Sequence, residues 1–416
     1  MKKIPWSYEK CKELVHQKYD KSIYSYFDDQ LSSAGKSNAN NIEAFHHYKM
    51  IPTYMDPKQL QKTIDRRILT LSSKELGTTS LEIDFPFFVC PFTFPTINDP
   101  SFTLNSLASQ CEQSNIQCIL PVFSYSKIED YPASIQIFAL NITCFDEINR
   151  SLIQRLKNKK IKIMILTIDT QYYHIGSGIM DSEGDVTKSS MNIFTNLLED
   201  PYFNKIFYER NKKIGSKNPD IVQFVRFHCG ISSTTSIPMD RKRAIQFAKW
   251  CMNQGFNCMN TSSIFSVSYF KDLAHSSSPL CESLDTAIGH PMAIVIKGIL
   301  SVKDALLVQK LGVDGIYVSN HGGRFVWNCV PTLQVLSPIH NAVKKINPDF
   351  GVWFDSGIRH GADIITALQL GAEFVGICRP LVYSFALNPK QGVTQKLEQI
   401  KTEYHQQLRI RGSFFT

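Results

Sequence analysis

No apolar run in this chain approaches the roughly 18 residues that a bilayer-spanning helix requires. The longest, Ile161–Ile168 and Met292–Ile296, are strand-sized, so no membrane partner is expected. The 11 cysteines are scattered and include no Cys-x-x-Cys pair. An odd number of thiols in a chain of 416 residues reads as reduced and mostly buried, not as a disulfide framework. The start, Met1-Lys2-Lys3-Ile4-Pro5-Trp6, carries a basic flank with no apolar core behind it, unlike a secretory leader. The expected location is the cytoplasm. Also absent is a Gly-x-Gly-x-x-Gly after a strand, the mark of a dinucleotide site. Cys111 and Cys118, Cys251 and Cys258, and His46–His47 build no four-ligand set, so no metal is expected. Nor is charge concentrated. The 45 basic and 37 acidic groups give a net +8, with local clusters only at Lys157–Lys162 and Lys212–Lys217. No nucleic-acid module accompanies these clusters, which read as solvated surface.

What the chain has in quantity is short apolar runs spaced by amphipathic stretches. Phe85–Pro91, Ile116–Pro121, Ser134–Ala139, Ile163–Asp169, Met292–Lys297, Gly315–Ser319, Gly351–Asp355 and Glu373–Ile377 are eight candidate strands. Near-continuous apolar character fits parallel strands covered on the outside by helices. Asp304–Leu311 and Asp363–Leu370 read as two of those helices, each followed by Leu-Gly and then a strand. Eight such units favour an α/β fold closed as a (β/α)₈ barrel, a TIM barrel, over an open doubly wound sheet.

The whole chain, 1–416, reads as one domain. An N-terminal helical collar occupies 1–80, in which the polar run Ser32–Asn41 interrupts the helices as a loop. The barrel spans 83–390, and 391–416 is a C-terminal tail. A long insertion between strands 4 and 5, over 170–291, is too large for one crossover. It reads as an extended loop or lid with inserted helices such as Arg243–Trp250, or else as an oligomer contact.

The chemistry concentrates where strands end. Gly315-Ile-Tyr-Val-Ser319-Asn-His321-Gly-Gly-Arg324 runs a strand into a base, two glycines and a guanidinium. His accepts a proton near neutral pH, and Arg offers a planar fork for a carboxylate or phosphate. Lys297 closes an otherwise apolar strand, where a cation is out of place unless it meets an anion. Asp169, after Ile165-Leu-Thr167-Ile, is a carboxylate that could pair with a histidine. Asp355-Ser-Gly357-Ile-Arg359 and Gly376-Ile-Cys-Arg379 supply the glycines and arginines of a barrel phosphate site. The bland alternatives are a structural histidine, a lysine that snorkels to water, and a helix-capping aspartate.

These motifs resemble the FMN-dependent α-hydroxy-acid oxidase and dehydrogenase family, which includes glycolate, lactate and mandelate members. The likeness is densest over residues 290–387, looser from Tyr8 to Asp169, and poor across the insertion. It implies oxidation of a small (S)-2-hydroxy acid to the 2-oxo acid, with FMN (flavin mononucleotide) as cofactor and oxygen or another acceptor downstream. By position it implies His321 as base with Asp169 as its partner, and Lys297 facing the flavin. Arg324, Tyr26 and Phe138 fall at substrate-binding positions. Gln136, Thr167 and Ser319 fall beside the ring, Asp355 at the ribityl chain, and Gly357, Arg359 and Arg379 at the phosphate. A homotetramer is implied as well. Some relatives are peroxisomal, although Ser413-Phe-Phe-Thr416 is unlike a Ser-Lys-Leu address. Departures from the family pattern include Phe138 for a tyrosine, Gly176 for an arginine, Phe123 for a tryptophan, Pro121 for a serine, Ser356 and Cys378 for glycines, and the bulky Phe92. They thin the substrate shell, so an FMN-binding protein with impaired turnover and a structural or regulatory role is the alternative.

Overall fold

The computed structural model describes residues 4–20, 24, 28, 35–54, 67–73, 77–92, 102–124, 126–141, 146–169, 196, 200, 202–203, 205, 292–324, 326, 328–410 and 414–415. The insertion of 170–291, including Arg243–Trp250, therefore lies almost wholly outside the described residues.

Helix α1 (Tyr8–Lys18) starts at Ser7, whose side chain accepts from the Lys10 amide, and buries Tyr8, Cys11 and Val15 on one face. Helix α2 (Gly35–His46) follows. It occupies most of the polar run expected as a loop, which corrects that reading. Strand β1 (Lys49–Met50) pairs antiparallel with β12 (Phe414–Phe415). Strands β2 (Arg67–Ser73) and β3 (Gly77–Ile83) form an antiparallel hairpin, so the collar is not helical throughout. Leu69, Leu71, Leu81 and Ile83 of the hairpin join the residues that fill the barrel interior, and Leu71 meets Gly351, where a Cβ would lie 2.4 Å from Leu71 Cδ2. The hairpin thus plugs the N-terminal end of the barrel.

The barrel begins with β4 (Phe87–Val89), α3 (Leu104–Gln113), β5 (Gln117–Pro121), β6 (Ile137–Asn141), α4 (Asp146–Asn158) and β7 (Ile163–Thr167). After the insertion come β8 (Ala293–Ile299), α5 (Val302–Lys310), β9 (Gly315–Val318), α6 (Thr332–Ile346), β10 (Gly351–Phe354), α7 (Gly361–Gln369), β11 (Phe374–Ile377) and α8 (Arg379–Leu387). β4 through β11 close on themselves, β11 pairing with β4, and every pair is parallel. All eight expected strands are present. The third is displaced: Ser134–Ala139 was the expectation and Ile137–Asn141 is the strand.

Alternation along the strands sorts their side chains. Phe88, Cys90, Ile119, Ile137, Ala139, Ile163, Ile165, Ala293, Val295, Tyr317, Trp353 and Phe374 face the interior. Their neighbours Phe87, Val89, Phe138, Leu140, Met164, Leu166, Ile294 and Ile296 face the helices. Phe88, Tyr317, Trp353 and Phe374 fill the lower barrel with rings, Phe88 and Phe374 lying 4.5 Å apart and Trp353 edge-on to Phe374 at 5.2 Å.

The expected tail is a helix, α9 (Gly392–Ile410), with Lys396, Leu397, Ile400 and Tyr404 buried along it. It clasps the start of the chain. The Ile4 amide donates to Gln395 Oε1 at 2.8 Å, and Lys396 Nζ donates to the carbonyls of Pro5 and Trp6 at 2.9 and 2.8 Å.

Candidate active site

At the C-terminal ends of the strands the interior positions change from apolar to polar. Continuing the alternation beyond Ile165, Val295, Tyr317 and Trp353 puts Thr167, Lys297, Ser319 and Asp355 at the mouth, with Thr167 opposite Lys297 in the β7–β8 register. Lys297 is 3% exposed. A buried ammonium is tolerated only among acceptors and counter-charges. Lys297 Nζ donates to Ser319 Oγ at 2.9 Å and lies 3.8 Å from both Asp169 Oδ2 and Asp355 Oδ2. It also sits 5.3 Å above the Tyr317 ring. Burial drives the lysine toward the neutral form, but the two carboxylates outweigh it and hold its pKa above the ordinary value.

Gly298 explains how Asp169 comes so close. Its φ is +109°, at a bulge in the β8–β9 pairing, and a Cβ there would lie 2.7 Å from Asp169 Cβ. Asp169 Oδ1 accepts from His321 Nδ1 at 2.9 Å. Burial would raise this carboxyl, yet Lys297 and His321 together hold it below the usual carboxylate range. An ionised carboxylate can only accept, so Nδ1 carries the ring proton and Nε2 is the accepting nitrogen of the ring. His321 itself is pushed below its ordinary pKa, first by burial and then by Lys297, 3.5 Å from Nδ1. Its ring nevertheless keeps 29% exposure, enough for a ligand to reach it. The result is a neutral, oriented and accessible base.

The turn carrying His321 is strained and heavily tied. His321, Gly322 and Gly323 have φ of +56°, +70° and +80°, a region costly for a residue with a Cβ. The His321 amide donates to Ser319 Oγ at 3.1 Å, and the Gly323 amide to Asn320 Oδ1 at 3.0 Å. Asn320 in turn exchanges two 2.8 Å hydrogen bonds with Asn41 on α2, a reciprocal buried amide pair. Arg324 closes the turn, and its charge acts on both His321 and the Cys378 thiol.

Beside this turn lie Arg359 and Arg379, both 7% exposed. Arg359 Nη2 and Arg379 Nη1 donate to the same oxygen, Asn38 Oδ1, at 3.2 and 2.9 Å. Arg379 Nη2 also donates to the Gly322 carbonyl at 3.1 Å, an approach that a Cβ on Gly322 would block at 2.8 Å. Arg359 stacks on the Tyr8 ring at 4.6 Å, and its Nε is buried with no acceptor among the described residues. Two guanidiniums converging on one neutral oxygen, one with an unused buried N–H, form a cradle for a multiply charged anion. Gly357, at φ +97°, lies between Arg359 and Asp355 on the same turn. The donor set fits FMN: arginines for a phosphate, a carboxylate at Asp355 for a polyol, and a buried cation at Lys297.

Of the residues singled out from sequence, the structure gathers Asp169, Thr167, Lys297, Ser319, His321, Arg324, Asp355, Gly357, Arg359 and Arg379 at one end of the barrel. Tyr26 lies outside the described residues. Two are not gathered. Phe138 is fully buried in the outer layer, 6.2 Å from the Tyr131 ring, because its place in β6 turns it away from the interior. Gln136 precedes β6, and its carbonyl accepts from the amides of Lys162 and Ile163 at the start of β7. At about 3.3 Å per residue it lies roughly 16 Å below the mouth. The interior residue of β6 that pairs with Thr167 is Asn141, which the sequence reading missed. Also missed were Asn38 and Asn41, while Ser356 was noted only as a departure from the family pattern. Their signal was amides and hydroxyls in a segment that looked like a polar loop or a simple turn.

Comparison with known proteins agrees with this geometry. A family model described as FMN-dependent dehydrogenase matches residues 15–413. The chain is 24% identical over 403 residues to 2-hydroxyacid oxidase 2 of Rattus norvegicus, covering 96% of this chain and 92% of that protein. It is 25% identical over 408 residues to a peroxisomal (S)-2-hydroxyacid oxidase of Arabidopsis thaliana, covering 97% and 92%. Among solved structures, an active mutant of (S)-mandelate dehydrogenase superposes with a TM-score of 0.65 at 19% identity, over 97% of this chain and 95% of that one. Mandelate oxidase bound to 3,3-difluoro-2-hydroxy-3-phenylpropionic acid gives 0.64 at 18%, over 97% and 93%. At these identities the structural likeness speaks to the fold.

Proposed function

Because the chain belongs to the FMN-dependent dehydrogenase family, we propose that its barrel mouth oxidises a small (S)-2-hydroxy acid to the 2-oxo acid. The observation that carries this reading is the neutral base His321, held by Asp169 beside the buried cation Lys297. Arg359, Arg379 and Gly357 would hold the FMN phosphate, Asp355 the ribityl chain, and Thr167, Ser319 and Lys297 the ring system. When bound, FMN would supply the two-electron sink, with oxygen or another acceptor as the final oxidant.

The remaining work falls to the side chains. Arg324 grips the substrate carboxylate through its planar fork. His321 accepts a proton at Nε2, and Asp169 stabilises the imidazolium that results. Lys297 provides positive charge where negative charge builds on the cofactor side of the site. In net terms R–CHOH–CO₂⁻ becomes R–CO–CO₂⁻ with release of two protons and two electrons. Anaerobic mixing of the yellow protein with glycolate, lactate and longer 2-hydroxy acids tests this. Bleaching of the flavin by at least one is expected, and none by any would overturn the reading. A tetramer is proposed on family resemblance and is checked by sedimentation. The compartment is proposed as cytoplasm, with the peroxisome of the Arabidopsis relative as the other outcome of imaging.

A further inference from the structure

Ser356 adopts a backbone conformation that suits glycine. Its φ is +84°, followed by Gly357 at +97°. A side chain here carries a steric cost that glycine would avoid. Two hydrogen bonds accompany it. Ser356 Oγ donates to Asp355 Oδ1 at 2.7 Å and accepts from the Gly322 amide at 3.0 Å. The residue is 8% exposed, so neither bond is readily exchanged for water. On one side of the hydroxyl is the carboxylate that faces Lys297. On the other is the peptide immediately after His321, the residue with φ +56°.

We propose that Ser356 is a positioning residue whose hydroxyl locks the His321 turn onto the Asp355–Lys297 floor, fixing base and cation relative to each other. The inference rests on the reading of His321 as the base. Among the described residues, the charged groups that act on His321 include Asp169 from the end of β7, Lys297 from β8, Arg324 from its own turn, and Arg379 through the Gly322 carbonyl. The 2.9 Å hydrogen bond ties the ring to Asp169. With Nδ1 protonated, the 3.5 Å approach of Lys297 is a contact of like polarity that no bond holds, so it is the one that opens when the turn is released. With the strut removed, the turn relaxes, the ring moves away from the ammonium, and protonation of His321 becomes easier.

Two variants separate this from a purely structural role. Ser356→Ala removes the hydroxyl and keeps the strained Cβ, whereas Ser356→Gly removes both. In FMN-loaded protein the His321 titration is followed by NMR, alongside thermal melting and anaerobic flavin bleaching. In both variants the His321 titration is expected to move up by about half a pH unit, with bleaching slowed roughly tenfold at pH 6. Ser356→Gly melts at or above the parent temperature, and Ser356→Ala below it. Unchanged His321 titration in the two variants would overturn the proposal, whatever the melting temperatures. The titration needs no turnover. If the parent protein bleached with no 2-hydroxy acid while the titration still moved, the functional reading would fail and the strut would stand.

Discussion

Replacing Asp169 by Asn tests the base most directly. Asp169 Oδ1 accepts from His321 Nδ1 at 2.9 Å, and Oδ2 lies 3.8 Å from Lys297 Nζ. When His321 takes a proton it becomes a cation beside that carboxylate. At an effective dielectric near 20, unit charges about 4 Å apart attract by about 4 kcal/mol. A hydrogen bond to a charged group is worth about 1.5–3 kcal/mol by mutation. The two figures describe overlapping effects, so the expected loss is about 2–4 kcal/mol, or roughly 30- to 900-fold in rate. An asparagine amide can also donate to Nδ1, which moves the ring proton to Nε2 and blocks the accepting nitrogen. The assay is anaerobic stopped-flow bleaching of the bound flavin across pH. His321 works as the neutral base, so the parent rate falls as pH drops through a pKa below the ordinary 6.5. Without the carboxylate, Lys297 repels imidazolium unopposed, and the acid limb shifts to still lower pH under a reduced plateau. A bleaching rate within threefold of the parent, at an unchanged limb, would refute the base assignment.

Arg359→Ala and Arg379→Ala each remove one of the two donors that meet at Asn38, and FMN affinity measured by titration is expected to fall about 10- to 100-fold for each. Gln136→Ala is expected to leave bleaching unchanged because the residue sits at the opposite end of the barrel, whereas Asn141→Ala is expected to slow it, checked by the same stopped-flow assay. An effect of Gln136 with none of Asn141 would show the β6 register to be wrong. Asn41→Ala strands Asn320 in a buried position and is expected to cost about 2–3 kcal/mol of stability, measured by denaturant unfolding of the FMN-free protein.

The last four strands were legible because each ends in a change of character that only a site explains. Lys297 follows four apolar residues, His321 and Arg324 flank two glycines, and Arg359 follows Asp355 by four positions. β6 was not legible in the same way. Ile135 and the run Ile137-Phe-Ala-Leu140 are apolar on both faces, and such a pattern does not say which residue points inward. A one-residue change of register turns every side chain over, which is how Phe138 moved from the site to the outer core. α2 was obscured by a different cause. Its Ser and Asn residues compete with the backbone for hydrogen bonds and read as a loop. In the fold those groups are engaged elsewhere. Ser37 accepts from the Cys329 amide, Asn38 takes both arginines, and Asn41 pairs with Asn320. Tertiary partners outweigh the local preference.

The clasp between α9 and the start of the chain sets an order of events during synthesis. The barrel closes only when β11 reaches β4, and the arginine cradle needs Arg379 together with Asn38. Ile4, Pro5 and Trp6 each find a hydrogen-bond partner in residues 395–403, at the far end of the chain. A nascent chain still lacking residue 379 has strands and helices but no anion cradle, so cofactor capture belongs to the nearly finished protein. Translational pausing anywhere before that point leaves an unpaired β4 edge exposed, with nothing for a flavin to hold it closed.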